Sequence, residues 1–299
     1  MSGLIRLPLG LLALSVTLCA PSFATHDTKP SSYEFKQLLA VAAFTTDAAI
    51  ANYQHALTSQ LAQFGELQGK LTLTDSGPIN FYDTKGCQLK SQGLLLRHRQ
   101  HKQQEQVTLK LRGLSPQSVS HSSLMASGEL QADVLATPSI HTIYSVAQSQ
   151  PNSTIPANLN QLQQQFPALA RMAPFQTLAS QTLGEQALYP LSHFDLQQTV
   201  FSGVSLKLGE HKLKFSLTLW REQAQSSPLV AEISFAINNK NNALDTQSLQ
   251  TAYLVLDKIS AMQDWRYAAN STKNQWLYEH ADNLCDSEPT QLATLTPAK

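Results

Sequence analysis

The chain has 299 residues, 42% of them hydrophobic and only 14% charged, with 21 basic and 21 acidic side chains and a formal net charge of zero. That balance excludes a protein that engages nucleic acid or an anionic membrane with its whole surface, and leaves any cationic function to a local cluster. The length suffices for one large domain or two modest ones.

Residues 1–24 read as a secretory signal. Met1 to Arg6 gives a basic start, and Leu7 to Ala20 is apolar apart from Gly10, Ser15 and Thr17. Ser22-Phe23-Ala24 then offers small residues at the −3 and −1 positions of a cleavage site. The apolar run is shorter than the roughly 20 residues of a spanning helix. Leu18 stands before Cys19, where a lipoprotein signal needs a small residue. The expectation is a chain that starts near Thr25, crosses the inner membrane to the periplasm and keeps no stable membrane anchor. Cleavage removes Cys19 and leaves Cys87 and Cys285, an even pair and so a candidate disulfide in an oxidising compartment.

From Ser32, "SYEFKQLLAVAAF" alternates and then turns apolar, as a strand does. Residues 46–64 carry helical spacing, with Thr46 or Asp47 as N-cap and Gly65 as the stop. "GKLTLTDSGPINFYDT" reads as a strand, a Gly-Pro turn and the start of another. "QLKSQGLLLRHRQ" and "EQVTLKLRG" read as two strands joined by the polar "HKQQ". Residues 114–191, rich in Ser, Gln, Ala and Pro, read as a helical insertion or lid. Strands resume in "HFDLQQTVFSG", "VSLKLGEHKLKFSLTLWRE" and "PLVAEISFAIN", with Gly209-Glu210 as a hairpin turn. A helix follows in "TQSLQTAYLVLDKISAMQDW", N-capped by Asp245, and residues 271–299 read as a polar tail. The sum is an α+β fold in which residues 25–270 form a single domain. It has about eight mostly antiparallel strands, helices between them and a C-terminal helix. Closed into a barrel, such a sheet sends alternate side chains of many strands into one lumen.

The strands share a charge pattern. Arg97 and Arg99 lie on one face of their strand, Lys110 and Arg112 on one face of the next, and Ser32, Glu34 and Lys36 on one face of the first. Lys212, Lys214, Ser216 and Thr218 repeat the pattern, as do Glu232 and Ser234. Periodicity fits both a sheet with one wet side and a lumen that grips an anion. The excess of basic groups suits a polyanion, with one or two carboxylates beside it for a divalent metal.

In motif order the chain resembles the CYTH superfamily, the triphosphate tunnel metalloenzymes. Tyr82-Asp83-Thr84, Leu96-Arg97-His98-Arg99 and Thr108-Leu109-Lys110 stand in the family's sequence, after an opening Glu34-Phe35-Lys36 and before a late strand with Glu232. The resemblance implies an eight-stranded antiparallel tunnel that binds a phosphorylated small molecule or inorganic polyphosphate. It places Lys36, Arg97, Arg99 and Lys110 on the phosphates, and Glu34, Glu129 and Glu232 on Mg²⁺ or Mn²⁺. The chain departs from the family at Ser32 and Ser234, which replace glutamates, and at Ser127-Gly128-Glu129-Leu130-Gln131, aligned with an Arg-x-Glu-x-Glu strand. Gln197 and Gln198 stand where an arginine is usual. The loss falls on the metal side, so binding is the stronger expectation and a weak metal-dependent triphosphate or polyphosphate phosphohydrolase the catalytic form of it. The alternative is a non-catalytic structural or interaction protein of the cell envelope.

Other chemistry finds less support. His98 and His101 make no closed ligand set, no G-x-S-x-G elbow is present, and Trp220, Trp265 and Trp276 read as packing residues.

Overall fold

The computed structural model describes residues 29–46, 48–101, 104–136, 139–172, 175, 185–192, 195–222, 227–267, 271–281 and 284–285. Residues 1–24, read from sequence as a secretory signal, Asp47 and the residues after 285 lie outside them.

Alternation builds the frame. The strands are β1 (Ser32–Leu39), β2 (Leu67–Gln68), β3 (Thr72–Asp83), β4 (Leu94–His101), β5 (Gln104–Gly113), β6 (Gln131–Leu135), β7 (His141–Pro151), β8 (Tyr189–Pro190), β9 (Leu196–Leu208), β10 (His211–Glu222) and β11 (Val230–Asn238). Nine of them close into a barrel in the order β9-β10-β11-β1-β6-β7-β5-β4-β3, with β3 pairing back onto β9. The two-residue β2 and β8 extend β9 and β3.

Two expectations are corrected here. The barrel has nine strands rather than eight, and it is mixed, because β1 and β6 run parallel. The extra strand comes from residues 114–191, which supply both β6 and β7 and are not a helical insertion alone. Alanine and aspartate in "QADVL" disfavour a strand locally, and pairing on both sides overrides that preference. The Gly77-Pro78 pair is likewise not a turn. β3 runs through it and pairs with β9 up to Pro78 and with β4 from Ile79, so the missing N–H falls where the partner changes.

Helices cover the outside. Among the described residues they include α1 (Ala49–Leu61), α2 (Gln88–Ser91), α3 (Pro116–Ser120), α4 (Leu159–Gln165), α5 (Thr246–Ser260) and α6 (Lys273–Glu279). α1 buries Ala49, Tyr53, Leu57 and Leu61 at four-residue spacing, and α5 buries Ala252, Val255, Leu256 and Ile259. Both pack on the outward face of β1, β10 and β11, where Phe35 stacks on Phe235 at 4.8 Å and Phe215 lies 5.1 Å from Phe235. Asp245 caps α5, its Oδ1 accepting the Ser248 N–H at 2.8 Å, while Ala48 offers α1 no side-chain cap. Trp265 packs against Phe44 and Tyr53. A second cluster joins Leu94, Leu96, Leu109 and Leu111, facing outward from β4 and β5, to Leu159, Leu162 and Phe166. Apolar faces therefore point out beneath helices and the charged faces point in, the reverse of a sheet with one wet side.

The stretch from Ser271 is not simply a tail. α6 buries Trp276 and Leu277 against Leu38, Ile79, Phe81, Leu95, Leu196, Trp220 and Val230, an apolar plug at one end of the barrel. Asp83 holds the same end together. Its carboxylate accepts the N–H groups of Thr84, Leu89 and Lys90 at 2.7, 2.8 and 3.0 Å, and the Tyr278 hydroxyl at 3.3 Å. Tyr82-Asp83-Thr84 is thus a structural motif that fixes α2 and docks α6. Cys87 and Cys285 are joined by a disulfide across 198 residues of sequence. Closing so long a loop restricts the unfolded chain, and its removal in a Cys87→Ser/Cys285→Ser variant should cost about 3–5 kcal/mol in urea unfolding. An unchanged midpoint would show that the plug holds without its tether.

Candidate functional site

The lumen is a cavity of about 710 Å³. Its wall follows from strand period: Glu34 and Lys36 from β1, Arg97 and Arg99 from β4, Lys110 and Arg112 from β5, Asp133 from β6 and Glu232 from β11. Among the described residues Asp75 of β3 and Lys273 of α6 complete the charged set, giving six cations against four carboxylates.

Asp133 is the hub. Fully buried, it receives Lys36 Nζ on Oδ1 at 2.8 Å, Lys110 Nζ on Oδ2 at 2.9 Å and the Ser145 hydroxyl at 3.3 Å. Burial alone would raise its pKa, but the Lys36 and Lys110 ammoniums outweigh it and hold the carboxyl well below the ordinary range. Lys36 also reaches Glu34 Oε2 at 3.0 Å. Burial would depress Lys36; Asp133, Glu34 and Glu232 together lift it well above its ordinary value. Glu34 ends below its usual value because Lys36 overcomes its desolvation. Lys110 goes the other way, pushed down by burial despite Asp133 beside it.

The guanidiniums are less provided for. The Nε atoms of Arg97 and Arg112 are buried with no hydrogen-bond partner, and neither residue has an ion-pair partner among the described residues. Burial, with Arg99 alongside, pushes Arg97 down to about 9. An arginine keeps its proton in practice, so the strain is borne as an unfavourable buried charge that an incoming anion would relieve. Arg99 donates Nε–H to Gln106 Oε1 at 3.1 Å and is likewise depressed by burial, with Asp75 opposing.

At the plugged end, Lys273 Nζ lies 2.6 Å from Glu232 Oε1 and 5.0 Å from the centre of the Trp220 ring.

The barrel therefore brings together Lys36, Arg97, Arg99 and Lys110, the four phosphate-side residues expected from sequence, with Glu34 and Glu232. It does not bring Glu129 to them. That side chain is exposed outside the lumen and accepts a hydrogen bond from Ser31 at 3.1 Å. The carboxylate facing the cations from this part of the chain is Asp133, four residues on. Lys212 and Lys214 share the lumen face of β10 but stand exposed beyond the cavity. His98 points outward to Glu105 at 2.5 Å, and the His101 side chain lies outside the described residues. Sequence reasoning missed Asp133, although "LQADVL" alternates Leu130, Ala132 and Val134 with Gln131, Asp133 and Leu135. It missed Lys273 because no local pattern marks that residue.

The donor set does not fit a resident divalent cation. Glu34 and Glu232 each hold a lysine, Asp133 holds two, and no group of three His, Cys, Asp or Glu side chains converges among the described residues. What the wall offers is fixed cationic donors suited to phosphoryl oxygens.

No protein-family model matches the sequence, and no curated protein does. Solved structures similar to the chain include a candidate adenylyl cyclase from Hippeastrum described by a dominant triphosphatase activity, at 13% identity and a TM-score of 0.44, covering 82% of this chain and 94% of that one. A candidate adenylate cyclase from Bacillus halodurans is similar at 11% identity and a TM-score of 0.37, over 82% and 97%. One from Vibrio parahaemolyticus is similar at 12% and 0.34, over 83% and 98%. Of the residues expected from sequence to contact phosphate or metal, Glu34, Lys36, Arg97, Arg99, Lys110 and Glu232 line the lumen and Glu129 does not.

Proposed function

We propose that this chain is a divergent CYTH-like protein that holds a phosphorylated or polyphosphate-type anion in its barrel lumen. The observation that carries the reading is the pair of lumen guanidiniums, Arg97 and Arg112, with buried Nε donors that find no acceptor among the described residues. A buried donor left unsatisfied costs about 1–3 kcal/mol, so a ligand rich in acceptor oxygens gains what the free protein forgoes. Arg97 is paired with Thr108, and Arg112 lies four residues further along β5, about 13 Å at strand rise. Linked phosphates bridge such a span better than a single one.

Binding is favoured over turnover, because Glu34, Asp133 and Glu232 are all committed to lysines. Orienting an attacking water needs acceptors that are free to take its proton. The site of action is the periplasm, after removal of residues 1–24, and the disulfide supports an oxidising compartment.

Thermal denaturation of the mature protein tests this. Tripolyphosphate at a hundred times its Kd should add about 2.7 kcal/mol of stability. No shift with tripolyphosphate, pyrophosphate or ATP, with or without Mg²⁺, would overturn the reading. An orthophosphate-release assay on the same samples separates binding from hydrolysis.

A further inference from the structure

The carboxylates of this lumen are covered: Glu34 and Asp133 stand side by side in the β1–β6 register and share Lys36, and Glu232 stands apart from them. In the β1–β11 register Glu34 pairs with Ala236 while Glu232 pairs with Leu38, an offset of four residues and about 13 Å along the strands. One small cation needs its oxygen donors within roughly 2.0–2.6 Å of a single point. Glu34, Asp133 and Glu232 each receive an ammonium instead. Lys36 bridges Glu34 and Asp133 at 3.0 and 2.8 Å, and Lys273 sits on Glu232 at 2.6 Å.

Lys273 is not a stray surface lysine. Its side chain is 21% exposed, it lies over the Trp220 ring, and its helix is anchored by buried Trp276 and Leu277 and followed by the Cys87–Cys285 bridge. A divalent ion taking Glu232 would have to evict that ammonium and leave it enclosed without a counterion, a strongly unfavourable exchange. The lysines also stay useful where they are. An ammonium carries three donors, so one spent on a carboxylate leaves others for phosphoryl oxygens.

We infer that the lumen takes its polyanion free of divalent metal, with Lys273 and Lys36 fixed on the carboxylates where a cation would otherwise be held. The inference rests on the anion-binding reading above and specifies the ligand's form: the bare tripolyphosphate-type anion and not its Mg²⁺ complex. α6 then contributes a positioned cation to the binding wall as well as closing the barrel.

Calorimetric titration of the full mature chain with tripolyphosphate, once in EDTA and once in excess Mg²⁺, reads this directly. Saturable binding is expected in EDTA, and weaker binding with Mg²⁺, which competes for the anion. A Lys273→Met variant should lose roughly tenfold or more in EDTA, the scale of one charge-assisted contact. In that variant Mg²⁺ should restore affinity, because Glu232 is freed. Wild-type binding that appears only with Mg²⁺ overturns the inference and leaves anion binding standing. Absence of binding in both media overturns the anion reading together with it. Unchanged affinity of Lys273→Met in EDTA removes the role given to Lys273. The wild-type comparison needs no variant, so a poorly folding Lys273→Met does not blunt the test.

Discussion

Asp133→Asn is expected to lower stability by about 3–5 kcal/mol, the range seen when one partner of a buried ion pair is removed. The substitution is nearly isosteric, so the loss comes from charge. Among the described residues Lys110 loses its ion-pair partner and Lys36 keeps Glu34. Urea unfolding checks the size, and acid titration checks the cause. Asp133 is held below its unfolded value of 3.8 in the fold, so its contribution is present above that pH and is lost as pH falls through the folded value. Asparagine does not titrate at all. The gap between wild type and variant should therefore be full at neutral pH and close on acidification below 3.8. Tripolyphosphate should recover more stability in the variant than in the wild type, because two ammoniums are released to meet phosphate. A smaller recovery in the variant would mean that Asp133 helps hold the anion and does not merely compete for the lysines.

Arg97→Gln is expected to act in the opposite sense on stability. None of the described residues satisfies the Arg97 Nε, and burial with Arg99 nearby disfavours its charge, so the unliganded variant should be as stable as the wild type or more so. Its tripolyphosphate affinity should fall by roughly tenfold to a hundredfold, the equivalent of about 1.5–3 kcal/mol for a hydrogen bond to a charged group. Calorimetry and urea unfolding on the same preparation separate the two effects. A residue serving only the fold would lose both together. Stability maintained with affinity lost is the mark of strain kept for a ligand. If Arg97→Gln binds as the wild type does, the phosphate wall lies elsewhere.

Much of the wall is legible before any fold is known, and the reason is strand period. "LLLRHRQ" and "VTLKLRG" put Arg97, Arg99, Lys110 and Arg112 on chosen faces whatever the strands pair with. Likewise the N-cap at Asp245 and the Gly209-Glu210 turn are local chemistry, settled within four residues. Glu129 shows where this stops. Motif alignment points to Glu129, and only pairing of Gln131–Leu135 between β1 and β7 fixes Asp133 as the carboxylate that faces the lysines.

By itself, then, the sequence determined the alternating faces, the excess of cations on them and the pairing partners available to two cysteines. Those are properties of neighbours along the chain. The tertiary structure alone decided that the charged faces turn inward, because helices from distant segments cover the apolar ones. It alone decided that the barrel needs a ninth strand from a stretch with weak strand propensity, and that Asp133 neutralises Lys36 and Lys110. It alone carried Lys273 to Glu232, 41 residues away in sequence. Such contacts are set by packing energy summed over the whole barrel, and no local window contains them.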